Sequence, residues 1–234
     1  CLVGSEMCIR DRAKLAGEEL REVPYYGLME TKIGGADCVI SQTGFTGEKG
    51  YEIYVRDAHE NAELVWNGVL EAGEEFGLMV IAPAHHRRIA AGILSWGQDL
   101  DHETSPFQVN LAYQVPRNKT ADYIGKEELE KQRAVIDAGD APFKMKMVGI
   151  TLGGKKITDY APDFWLVADT DGKDVGYITS PWWSPELETN IALAWVPWNM
   201  SEVGTKLQVR LPDEYSENSG EPVSAETVDV PFRE

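Results

Sequence analysis

The sequence predicts an α+β chain: short strands and helices fill its first half, and an all-β half, a barrel or a sandwich, follows. Two runs of period-two alternation, residues 37–41 and 51–56, enclose a turn that holds Gly44, Gly47 and Gly50. Residues 57–77 then place apolar side chains at helical spacing. Beyond the aperiodic stretch 137–143 come short strand-like runs separated by turn residues.

Each element has its own signal. In residues 51–56 alternation puts Tyr51, Ile53 and Val55 on one face and Glu52, Tyr54 and Arg56 on the other. The first helix takes Asp57 as N-cap with Glu60 completing a capping box, an apolar stripe of Leu64, Val65, Val69, Leu70 and Phe76, and Gly77 as its end. A second helix begins near Pro83, buries Ile89, Ile93 and Leu94, and stops before Gly97. A third covers 126–135, where Glu alternates with Lys or Arg on an exposed face. The stretch 137–143 reads as a linker. Strands are expected at 147–152, 164–168, 174–179, 191–196, 206–211 and 225–230, with a hairpin turn at 169–173.

Composition narrows the function classes. With 234 residues, 43% hydrophobic and 9% aromatic, the chain can bury a core. Its 22 basic and 39 acidic residues give a net charge of −17, which repels polyanions and argues against a nucleic-acid partner. A mean hydropathy of −0.32 and no long apolar run argue against a membrane span, so a soluble protein is expected. Residues 1–12 hold Cys1 and Cys8 but lack an initiator Met and a signal-peptide core; they resemble a translated sequencing-adapter read-through. The remaining cysteine, Cys38, sits in a strand-like run, so no disulfide framework or thiolate metal site is expected, and a reducing cytoplasmic setting fits.

Glu52 stands at the mouth of the glycine-shaped turn. Alternation alone makes it part of an outward polar face. A carboxylate there can also accept two parallel hydrogen bonds from an aminopyrimidinone edge such as a pterin presents, with the Phe45 ring lying against the flat heterocycle and the glycines letting backbone approach. Arg88 reads either as a surface ion-pair member or as a ligand contact. Trp182 and Trp183 either wall a channel or cap a barrel end. Adjacent His85 and His86 point about 100° apart on a helix and cannot share one metal, so no metal site is assigned. No triad signature and no phosphate-cradling motif occurs in the sequence.

Residues 43–52, Thr-Gly-Phe-Thr-Gly-Glu-Lys-Gly-Tyr-Glu, are similar to the TGYTGEDGFE signature of the glycine-cleavage T-protein (aminomethyltransferase) family. Residues 88–101 resemble that family's RLEAGLxLYGxDxD segment, with Trp96 at its Tyr position and Ala90 where it has an acidic residue. Residues 124–129 resemble its GKEAL helix start, and 176–194 its GxVTSgxxSPxLxxxIalA stretch. The resemblance covers about 25–232 and implies a front-truncated chain. On that reading 13–136 is the C-terminal part of a folate-binding domain, 137–143 a linker and 144–234 a C-terminal β-barrel domain.

What the resemblance implies is tetrahydrofolate as cofactor, with Glu52 on the pterin and Phe45, Arg88, Trp96 and Trp183 lining its site. The family's important Asp falls in the part upstream of this chain, so no catalytic residue is assigned and the fragment is expected to be inactive alone. The details around Tyr51, Trp96 and 228–232 look closest to the dimethylsulfoniopropionate demethylase branch, in which a Tyr at the position of Tyr54 contacts the substrate. The expected function is therefore methyl transfer from a small-molecule donor to tetrahydrofolate. The alternatives are an aminomethyltransferase of glycine cleavage, whose partner is a lipoyl carrier protein, and a non-catalytic folate-binding regulator.

Overall fold

The computed structural model describes residues 20, 22–81 and 84–232; the readings of residues 1–12 and Pro83 lie outside these. The chain forms two compact units that divide after Arg88, and the second includes the 137–143 stretch.

In the first unit β1 (Leu28–Ile33), β2 (Ala36–Ser41) and β3 (Glu52–Val55) form an antiparallel sheet in that order. The stretch 25–56 reads as β-like in sequence but no separate strand is expected at β1, whose signal is the Gly34-Gly35 pair. Both glycines take positive φ, 60° and 95°, as a two-residue hairpin turn between twisted strands requires. Register then decides which side chains meet: Cys38 faces Val55 and Ile40 faces Ile53, while Val39 faces Tyr54 and Ser41 faces Glu52. The first set lies on the buried face, where Ile33, Cys38, Ile40 and Tyr51 pack against Val65 and Val69 of α1 (Ala58–Glu74).

The start of α1 departs from expectation. Asp57 sits in the left-handed region at φ 49°, its side chain makes no capping bond, and the amides of Glu60 and Asn61 are taken by its backbone carbonyl at 2.9 and 3.1 Å. No capping box forms. The buried stripe is Val65, Val69, Ala72 and Gly73, while Leu64 is exposed. The helix ends as Gly77 predicts: Leu78 N–H bonds the Gly73 carbonyl at 3.0 Å and Gly77 N–H that of Glu74 at 3.1 Å, the paired bonds of a Schellman motif.

The second helix, α2 (His85–Ala90), is shorter than its sequence pattern suggests. Gly92 stops it, not Gly97: its φ is 70°, and a Cβ there would lie 2.5 Å from Val230 Cγ1. Ile93 and Leu94 therefore follow the helix. The third, α3 (Lys126–Asp137), runs to Asp137, has no buried residue, and carries a Lys131–Glu127 pair at 2.8 Å.

In the second unit β4 (Met145–Leu152), β5 (Trp165–Ala168), β6 (Asp174–Ser184), β7 (Thr189–Pro197), β8 (Lys206–Val209) and β9 (Val223–Val228) close an antiparallel barrel in the order β4-β7-β6-β5-β8-β9. It is a barrel and not a sandwich. Val148, Ile150, Val167, Ile178, Ala192 and Ala194 belong to one core cluster, while Met147, Ile191, Leu193 and Trp195 join Ile89, Ala90 and Val109 in another. Two buried faces explain why 191–196 is an unbroken apolar run. The 169–173 turn forms as expected, with the Asp169 carboxylate accepting the amides of Asp171 and Lys173 at 3.0 and 2.9 Å.

β6 runs five residues past its expected end. Its register against β7 shifts between Ile178 and Ser180, and pairing then continues through Pro181 to Ser184 opposite Thr189. Beyond Ile178 this strand pairs with β7 alone, and such an edge segment can carry a proline.

Candidate functional site

The cross-strand pairing of Ser41 with Glu52 builds a polar cluster at the root of the 42–51 loop. Ser41 Oγ and Thr43 Oγ1 are 2.6 Å apart, Thr43 Oγ1 donates a short hydrogen bond to Glu52 Oε2, and Tyr54 O–H donates to the same oxygen at 3.0 Å. Among the described residues no donor reaches Oε1. One half of this carboxylate is thus saturated by protein hydroxyls, and the other is open to a ligand donor. Glu52 and Tyr54 share a face, as alternation predicts.

The loop itself is tied down at two places. Glu48 pairs with Arg87 at 2.5 Å, and the Phe45 ring centre lies 5.8 Å from the Arg88 guanidinium carbon, within cation–π range. Neighbouring helical residues point in different directions, so α2 grips two separate points of one loop. Phe45 keeps 43% of its surface exposed. Arg88 is 1% exposed, which overturns its reading as a surface ion-pair member; its Nε donates to His85 Nδ1 at 3.4 Å. Of the three loop glycines only Gly47 takes positive φ, and Gly44 has open space where a Cβ would stand.

Trp96 and Trp183 belong to the second unit. Trp96 is 69% exposed in the turn 95–100, and Trp183 carries Lys156 Nζ 4.4 Å above its ring. Behind Trp96 lies a feature that sequence reading left without a role. Asp99, 1% exposed, accepts Ser95 N–H at 2.7 Å through Oδ2 and the hydroxyls of Thr179 and Ser180, each at 2.6 Å, through Oδ1. The β6 bulge aims both hydroxyls at one oxygen. Trp195 Nε1 bonds the Asp99 carbonyl at 3.0 Å and Gln98 Nε2 the Thr179 carbonyl at 2.8 Å, so the turn that presents Trp96 is fixed to the barrel wall. Depressions of about 290 and 280 Å³ on this unit hold none of the expected site residues. Among the described residues no group of three or more His, Cys, Asp or Glu could hold a metal, and no helix is long and apolar enough to cross a membrane.

One chain thus carries a sheet with a glycine-bearing loop and a carboxylate at its root, and a closed six-stranded barrel, the α+β class the sequence predicts. The sequence model described as GCVT N-terminal domain matches residues 12–119, and that described as glycine cleavage T-protein C-terminal barrel domain matches 146–232. The chain belongs to the glycine-cleavage T-protein family. It is 31% identical over 222 residues to an aminomethyltransferase of Geobacillus sp. (strain WCH70), covering 94% of this chain and 56% of that protein. It is 31% identical over 199 residues to an aminomethyltransferase of Caldanaerobacter subterraneus subsp. tengcongensis, covering 84% and 50%. A crystal structure of the glycine cleavage system aminomethyltransferase T from Bartonella henselae matches in fold with a TM-score of 0.70 at 20% identity, over 97% of this chain and 56% of that one. The chain spans about half the length of the curated relatives it matches.

Proposed function

We propose that this chain carries the pterin-binding part of a tetrahydrofolate-dependent one-carbon transferase, and that the carbon unit is an aminomethyl group delivered on a lipoyl carrier protein. The observation that carries the folate reading is the half-satisfied Glu52 carboxylate beside a half-exposed aromatic ring. An aminopyrimidinone edge offers two adjacent N–H donors, one for each oxygen of a carboxylate, and Oε1 of Glu52 is open to the first. Phe45 would lie against the ring and Arg88 would hold Phe45 from behind. Trp96 and Trp183 are further candidates for the walls. When bound, tetrahydrofolate supplies the ring nitrogen that accepts the carbon unit; the protein residues orient it. Residues 13–136 and 144–234 are read as the two domains, joined by 137–143, in a cytoplasmic protein.

The relatives above bear the aminomethyltransferase name, which supports the glycine-cleavage alternative over methyl transfer from dimethylsulfoniopropionate. Tyr54, at the position expected to contact that substrate, donates its hydroxyl to Glu52 in the unliganded protein. The test uses the full-length protein: with tetrahydrofolate and an aminomethyl-loaded lipoyl carrier it should release ammonia, and with dimethylsulfoniopropionate it should yield no methylthiopropionate. The opposite pattern would restore the demethylase reading.

A further inference from the structure

We propose that the Tyr54 hydroxyl is a displaceable stand-in for one of the ligand's donors, and that Thr43 is the positioning residue that aims Glu52; this rests on the reading that Glu52 takes the pterin edge. A carboxylate oxygen offers about two acceptor positions. On Glu52 Oε2 both are filled, one by Thr43 and one by Tyr54, while Oε1 has no protein donor among the described residues. A two-donor edge needs one position on each oxygen. Oε1 is ready; on Oε2 one hydroxyl has to leave.

The geometry decides which. Thr43 is part-buried, makes the shorter bond, and is itself braced by Ser41 Oγ at 2.6 Å, where cross-strand pairing holds Ser41 opposite Glu52. Tyr54 sits at 3.0 Å, is 56% exposed, and can swing its ring toward water without opening the sheet. Tyr54 is therefore the group that yields. In the unliganded protein its hydroxyl occupies the position that the ligand's second N–H later takes. Thr43 stays in both states. No bond is made or broken here, only hydrogen bonds exchanged.

The experiment is equilibrium binding of 5-formyltetrahydrofolate, a stable reduced folate, to the full chain and its variants, with circular dichroism and thermal melting as the check on folding. Tyr54→Phe removes the competitor and should bind about three- to tenfold tighter. Thr43→Val should bind about tenfold weaker, and Thr43→Ser, which keeps the hydroxyl, should return to within about twofold of the parent. Weaker binding by Tyr54→Phe, or unchanged binding by both Tyr54→Phe and Thr43→Val, would overturn the proposal. If Thr43→Val does not fold, the surface variant Tyr54→Phe decides alone. Glu52→Ala separates the two levels: if it leaves affinity intact the pterin reading itself fails, whereas its loss with no gain from Tyr54→Phe sinks only the displacement.

Discussion

Arg88, almost wholly buried, holds its guanidinium carbon 5.8 Å from the centre of the Phe45 ring. A buried cation whose partners are removed is costly, and this one also supports a loop residue from behind. Arg88→Met keeps most of the volume but loses the charge and the donors. We predict a loss of about 3 kcal/mol in urea unfolding and a weakened reduced-folate affinity. A variant as stable as the parent would show that the guanidinium is not structural.

The Asp99 carboxylate accepts one amide and two hydroxyls. Asp99→Asn either turns its NH2 group toward the Ser95 amide or forces the Thr179 and Ser180 hydroxyls to stop donating to it. The expected cost is about 2–3 kcal/mol, read from denaturant unfolding, with Thr179→Val accounting for part of it in a double-mutant cycle. Full additivity of the two changes would contradict the network.

Cys38 is 1% exposed, and burial pushes its thiol pKa up. It should stay protonated and unreactive. In a Cys1→Ser, Cys8→Ser background we predict no reaction with Ellman's reagent at pH 8 until the protein unfolds. The sign on stability follows: a thiol with a raised pKa contributes stability below its unfolded value and loses it as pH rises through the folded one. Prompt native-state labelling would contradict the placement.

The hydrogen bond and charge of Arg117 hold the Asp137 carboxyl below its ordinary range, and Lys32 does the same for Asp37. Depressed carboxyl values contribute stability above the unfolded pKa, and that contribution is lost as pH falls through the folded value. Both pairs lie in solvent, so the effect is small and screened by salt. Asp137→Asn should slightly flatten the acid limb of a stability-versus-pH curve at low salt, with no difference at 1 M salt. A difference that persists at 1 M salt would contradict an exposed pair.

The legible parts of the fold were those with local signals. Alternation placed Glu52 and Tyr54 on one face, the six barrel strands followed their apolar runs, and Gly77 ended α1. What failed depended on backbone state or distance. Nothing local reveals that Asp57 is left-handed, so a good capping-box pattern went unused. Gly92 leaves α2 at positive φ with Val230 packed where a Cβ would stand, and that neighbour is 138 residues away in sequence. Asp99 and Thr179 each lay in a recognisable stretch, yet their meeting across 80 residues is tertiary information. The same holds for Thr43: its role emerges only once register sets Ser41 opposite Glu52.

The most direct test of the folate site is the dissociation constant of 5-formyltetrahydrofolate measured side by side for the parent chain and Glu52→Gln, a change that keeps the shape of the side chain but turns one acceptor into a donor. A pterin edge held by this carboxylate predicts at least tenfold weaker binding with an unchanged melting temperature. Equal affinity in the two proteins would contradict the assignment of Glu52 as the pterin clamp.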